Sequence, residues 1–126
     1  AVGLAYGLKN HVFCIVGDGE MQEGSMWEAL SFLKHHDLKN LTVIVDYNGL
    51  QAMDEIKNVL SQNLYERFKG WGFEPEICDG HHHGELRKAL LKRPNIVIAY
   101  TKKGFGFKCM ENKPEFHYRV PLDNEK

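Results

Sequence analysis

The chain has 126 residues, 43% of them hydrophobic and 26% charged, a composition suited to one globular domain with a single core and too small for two. Sixteen basic residues stand against seventeen acidic ones, and no stripe of Lys or Arg is present to track a phosphodiester backbone, which argues against a nucleic-acid partner. No apolar run approaches the length of a membrane span, and Cys14, Cys78 and Cys109 form no Cys-x-x-Cys pair, so the expected setting is a reducing cytoplasm away from any membrane.

The opening, residues 1–9, reads as a small-residue helix already in progress, with Gly3 and Gly7 allowing close packing, and leads to the expectation that the chain begins mid-domain. Residues 12–16, Val-Phe-Cys-Ile-Val, form the first expected strand. Met26, Ala29, Leu30 and Leu33 then recur at i, i+3, i+4 and i+7, which predicts an amphipathic helix over about 25–36. Ser25 and Glu28 have the spacing of a capping box at its start. A second strand follows at 41–45, then a helix at 60–69 carrying Leu60, Leu64 and Phe68 on one face. A third strand is expected at 73–78, a third helix at 84–92 ahead of Pro94, and a fourth strand at 95–100. Near-continuous apolar strands alternating with helices predict an α/β fold, a parallel sheet covered by helices on both faces.

Parallel sheets of this kind bind ligands beyond the carboxyl ends of their strands. The loop after the first strand is Gly17-Asp-Gly-Glu-Met-Gln-Glu-Gly24, and the loop after the second is Asp46-Tyr-Asn-Gly-Leu-Gln51. One crossover separates Asp18 from Asn48, so both side-chain oxygens can reach the same sheet edge and outline a cation site. Mg²⁺ seeks hard oxygens in octahedral array and accepts phosphate oxygens among them. Glycine at positions 17 and 19 would let a diphosphate approach the backbone. Taken alone, Gly-Asp-Gly is also an ordinary turn. The loop lacks the Gly-Lys-Ser/Thr of a Walker motif, its third glycine falls too late for a dinucleotide fingerprint, and its donor spacing does not suit an EF-hand. His81, His82 and His83 are adjacent and point in different directions, a poor spacing for one metal ion.

The Gly-Asp-Gly at 17–19, followed by Asn48 after an apolar strand, resembles the thiamine-diphosphate signature. The strings Gly17-Asp-Gly-Glu-Met-Gln-Glu-Gly-Ser-Met-Trp-Glu-Ala29, Val45-Asp-Tyr-Asn-Gly-Leu-Gln51, Thr101-Lys-Lys-Gly-Phe-Gly106 and Met110-Glu-Asn-Lys-Pro-Glu-Phe-His117 resemble the transketolase family. The likeness is closest to members whose two modules are separate subunits. It implies that residues 1–126 are a diphosphate-binding module of the thiamine-diphosphate-binding fold, incomplete at the N-terminus.

On that resemblance Asp18, Asn48 and the backbone oxygen of Leu50 are the expected Mg²⁺ ligands, and Gly17 and Gly19 lie against the cofactor diphosphate. Glu23 belongs to a carboxylate network reaching the cofactor, with Glu28 as another acidic member. His117 stands near the diphosphate and the substrate entrance. Outside the resemblance, the two glutamates read as a solvated helix start and His117 as an exposed tail histidine. The implied cofactors are thiamine diphosphate and Mg²⁺, and the implied activity is transfer of a two-carbon ketol unit between sugar phosphates. The alternatives are a deoxyxylulose-phosphate-synthase-like enzyme and a non-catalytic structural subunit. The glutamate that activates the cofactor is expected on a pyrimidine-binding module, a separate subunit or missing domain, within a homodimer or heterotetramer, and this chain alone is expected to be inactive. Tyr47, His82, Phe105 and Tyr118 depart from the usual pattern. Missing segments would expose a flank of the sheet, so poor solubility or obligate association is expected of the isolated chain.

Overall fold

A computed structural model describes residues 1–51 and 54–123. Its centre is a four-stranded parallel sheet of β1 (Val12–Gly17), β2 (Leu41–Tyr47), β3 (Glu76–Asp79) and β4 (Ile96–Tyr100), in the order β1-β2-β4-β3. Five helices accompany it among the described residues: α1 (Val2–Gly7), α2 (Gly24–His35), α3 (Ile56–Leu60), α4 (Leu64–Gly70) and α5 (His83–Leu91). The pairings Gly17 with Asp46, Tyr47 with Tyr100, and Asp79 with Tyr100 align the carboxyl ends of all four strands along one edge.

The alternation of side chains across β2 and β4 separates two cores. Val43, Val45, Ile96 and Ile98 face Trp27, Leu30 and Leu33 of α2 and Leu64 and Phe68 of α4. On the other face Val97, Ala99 and Cys78 meet Ala89 of α5, with Ile44, Leu86 and Leu90 packed around them. Central strands buried on both faces are apolar along most of their length, which is why these two read as near-continuous runs; the buried hydroxyl of Thr42 on β2 donates to Pro94 O. Connections that advance along the sheet place their helices on one face, and the return from β3 to β4 places α5 on the other, as right-handed crossovers require. Coverage of the second face stops short of the expectation: α5 shields β3 and β4, while Phe13 and Ile15 of β1 remain 51% and 73% exposed.

Boundaries moved where backbone chemistry outweighed periodicity. The helix expected at 60–69 starts only at Leu64: Leu60 closes the separate helix α3, and Asn63 accepts a hydrogen bond from the Glu66 amide (3.2 Å) and starts α4 afresh. α4 ends in a Schellman turn: Gly72 adopts φ +80°, its amide reaches Lys69 O, and the Phe73 amide reaches Phe68 O. Phe73 is therefore buried beneath the helix end instead of starting β3, which begins after Pro75, a residue without a ladder donor. The capping box at Ser25 and Glu28 does not form. α2 begins at Gly24 with Glu23 at its N-cap and no side-chain cap bond. Trp27 is the core residue that the apolar spacing passed over, buried with its indole N–H donating to Met21 O at 2.8 Å. The three histidines act separately: His82 caps α5 by accepting from the Glu85 amide, His83 opens that helix, and His81 accepts from the Lys102 amide and stacks on Phe105 at 3.8 Å.

Candidate functional site

A cleft of about 500 Å³ opens at the carboxyl edge of the sheet. Its walls are the loop after β1, the loop after β2 and the returning tail, and they gather Gly17, Asp18, Gly19, Glu23, Asn48, Leu50 and His117, seven of the eight residues that the resemblance implied for the site. Glu28 is exposed on α2 and is not part of the lining.

Asp18 is the buried centre of this arrangement, 1% exposed. Its Oδ2 accepts from the Gly49 amide at 2.6 Å, and its own amide donates to Asp46 O at 3.2 Å. Burial raises its carboxyl above the ordinary value of 3.8; amides of Gly49, Gly19 and Asn48 pull the other way, and Asp46 adds to the rise. A buried carboxylate beside a second one is a place where a cation would relieve an electrostatic cost.

Neither Gly17 nor Gly19 uses a positive φ. Gly49 does, at φ +75°, and that conformation aims its N–H at Asp18. Gly19 meets a different need: a Cβ there would lie 3.2 Å from Gln51 Cβ, so glycine lets the two loops close on one another. Gly17 has room for a Cβ, with only Glu20 Oε2 within 4 Å, and its amide donates to that carboxylate at 2.6 Å.

Asn48 is held at both ends. Its Oδ1 accepts from the Leu50 amide at 2.9 Å, and its Nδ2 donates to Asp46 Oδ2 at 3.3 Å. Asp46 in turn accepts from the Thr101 hydroxyl at the end of β4. Across the cleft, Lys103 Nζ and His117 Nδ1 are 3.2 Å apart. The tail brings them together through a fold of its own: Gly104 at φ +73°, an Asn112 amide bond to Lys103 O, and the Lys102–Glu111 ion pair at 3.1 Å. A short 3₁₀ turn, Pro114–His117, with Phe116 buried then presents His117. Lys103, Glu20, Asp46 and Gln51 line the cleft without having been singled out from the sequence. Lys103 and Asp46 do stand at the carboxyl ends of apolar runs, which was a usable signal.

Among the described residues no three His, Cys, Asp or Glu side chains form a metal-binding group. A cation bound here would thus find fewer than three such side chains, and would need an amide oxygen, backbone oxygen and oxygens from a ligand as well. That set is hard and incomplete, which fits Mg²⁺ carried by a diphosphate and does not fit a self-sufficient metal cage.

Residues 6–126 match the family described as transketolase, thiamine diphosphate binding domain. One subunit of the apulose-4-phosphate transketolase of Actinobacillus succinogenes is 35% identical over 136 aligned positions, covering 99% of this chain and 49% of that protein. Transketolase of Homo sapiens is 37% identical over 127 positions, covering 93% of this chain and 20% of its own length. The crystal structure of Campylobacter jejuni transketolase superposes with a TM-score of 0.79 at 29% identity, covering 86% of this chain and 18% of that one. The chain therefore spans about half the length of the first relative and about a fifth of the other two.

Proposed function

This chain belongs to the transketolase family, and we propose that it anchors the diphosphate of thiamine diphosphate and its Mg²⁺ for ketol transfer between sugar phosphates. The observation that carries this reading is convergence: Asp18, Asn48 and Leu50 meet in one cleft with Lys103 and His117 opposite. Asp18 and Asn48 would hold the cation through side-chain oxygens and Leu50 through its backbone oxygen, leaving the rest of an octahedral shell to phosphate oxygens and water. The backbone of the loop at Gly19 would lie against the diphosphate, and the N-terminal end of α2 adds a favourable dipole. Lys103 and His117 would donate to phosphate oxygens or to an anionic substrate at the cleft mouth. Glu23, at the N-cap of α2 on the cleft wall, would join the carboxylate network shared with a partner.

When bound, thiamine diphosphate supplies a carbon nucleophile and an electron sink for cleaving the ketose C–C bond. The residues of this chain contribute binding and orientation. The pyrimidine-binding module is assigned to another subunit or domain, within a homodimer or heterotetramer in the cytoplasm. Support for a partner comes from the greater length of the relatives and from the name of one of them, which describes it as one subunit of its enzyme.

Calorimetric titration of thiamine diphosphate, with and without Mg²⁺, into the chain assembled with its partner module tests the reading. Binding that needs Mg²⁺ and disappears in Asp18→Ala is the expected result. No binding to a folded assembly would overturn it and leave a structural subunit with an inherited fold.

A further inference from the structure

An asparagine that contributes an oxygen to a cation has a particular difficulty. Its two ends are nearly the same size, and a half-turn of the amide presents N–H groups to the cation instead of oxygen. Something must fix which end faces the site.

In this chain the fixing groups are chemically one-sided. Asp46 Oδ2 can only accept, so the end of Asn48 that meets it is Nδ2, at 3.3 Å. The Leu50 amide can only donate, so the end that meets it is Oδ1, at 2.9 Å. That oxygen retains a second lone pair for another partner. Asp46 is itself held from two directions, by the Thr101 hydroxyl on its Oδ1 and by the Asp18 amide on its backbone oxygen at 3.2 Å. Thr101 can take this position because its neighbour in the loop after β3 is a glycine: a Cβ on Gly80 would lie 2.5 Å from Thr101 Cγ2. The Gly80 amide is tied to Tyr100 O at 2.8 Å, so the two segments cannot drift apart to make room.

We propose that Asp46 is a positioning residue, locked by Thr101 and Gly80, that sets the Asn48 amide with its oxygen toward the cation. The proposal rests on the cofactor reading above. It adds a chain of control from the far edge strand β3, through β4, to a residue on β2 that need not touch the ligand.

Asp46→Ala and Asp46→Asn separate this role from simple negative charge. In Asp46→Asn the new carboxamide can still accept from Asn48 Nδ2 through its oxygen while its NH₂ meets the Thr101 hydroxyl, so the orienting contact is kept and the charge is lost. Mg²⁺-dependent binding of thiamine diphosphate, measured calorimetrically on the assembled protein, is expected to weaken roughly 10- to 100-fold in Asp46→Ala, the usual effect of losing a group that orients a metal ligand. Asp46→Asn is expected to recover most of that loss. Equal losses in the two variants would overturn the proposal in favour of charge alone, and no loss in Asp46→Ala would overturn it outright. A second measurement is independent of the cofactor: in the cation-free assembled protein, NMR should show the Asn48 side-chain NH₂ protected from solvent exchange in wild type and Asp46→Asn, and unprotected in Asp46→Ala. Unchanged protection in Asp46→Ala refutes the orienting contact. Failure of the wild type to bind cofactor, with the NMR pattern intact, would sink the functional reading and leave the orienting contact standing.

Discussion

Gly80→Ala adds one methyl group where the structure has no space for it. The new Cβ would lie 2.5 Å from Thr101 Cγ2, with Tyr100 O at 3.2 Å and Ala99 Cβ at 3.3 Å closing off its escape. Ordinary contact begins near 3.4 Å, so the threonine methyl must retreat by about 0.9 Å. Overpacking of this kind costs about 1–3 kcal/mol. Rotating Thr101 to move the methyl would pull its hydroxyl off Asp46, and a hydrogen bond to a charged group is worth about 1.5–3 kcal/mol. Both routes point to a loss of about 2 kcal/mol, which for a domain of this size lowers the unfolding midpoint by roughly 8 °C. Thermal unfolding followed by far-ultraviolet circular dichroism measures it. Thr101→Ser supplies the control, since serine keeps the hydroxyl and lacks the methyl. Gly80→Ala combined with Thr101→Ser should recover most of the loss, giving an interaction of about 1.5–2 kcal/mol in a double-mutant cycle. A single-variant midpoint within about 2 °C of wild type, or no recovery in the pair, would refute the steric reasoning.

Burial, with the Arg93 charge nearby, holds the His11 imidazole below its ordinary value of 6.5. Between that lowered value and 6.5 the unfolded chain binds more protons than the folded one, so stability from this group is complete above 6.5 and falls as the pH drops toward the native value. Urea midpoints compared across that window should show His11→Gln losing less than wild type, and parallel curves would contradict the assignment. Gly49→Ala forces a side chain into φ +75°, with an expected cost of about 1–3 kcal/mol and a misdirected N–H at Asp18, visible as a lower denaturant midpoint and weaker Mg²⁺-dependent cofactor binding. Phe68→Ala empties a fully buried position beside Trp27 and should destabilise the chain by about 3–5 kcal/mol in equilibrium unfolding. Phe13→Ser with Ile15→Thr should change stability by no more than about 0.5 kcal/mol per site while delaying aggregation in light scattering, because both side chains project from an uncovered sheet face.

Much of the fold was legible in the sequence because it is written in short-range pattern. The Val- and Ile-rich runs gave four strands, and their spacing by helical segments gave a parallel α/β sheet. The positions of Asp18 and Asn48 at strand ends followed from the same pattern, since a strand that stops sets the place of the next residue. Periodicity failed where a single backbone or capping group decides the outcome. Asn63 starts α4 afresh and leaves Leu60 to the helix before it, and Gly72 turns Phe73 away from the strand it resembles. Trp27 escaped notice because its burial depends on the Met21 carbonyl and on Phe68, which lies on a distant helix.

The strands, the class of sheet and the residues at its carboxyl edge follow from the amino-acid order alone, because each depends on neighbours a few positions away. The order β1-β2-β4-β3, the bare flank at Phe13 and Ile15, and the return of the tail that joins His117 to Lys103 emerge only when the chain is packed in three dimensions. So does the link from Gly80 through Thr101 and Asp46 to Asn48. Those four residues come from three separate segments, and no local periodicity specifies which segments meet. Their contact is fixed by which strands pair and by how little room remains between them.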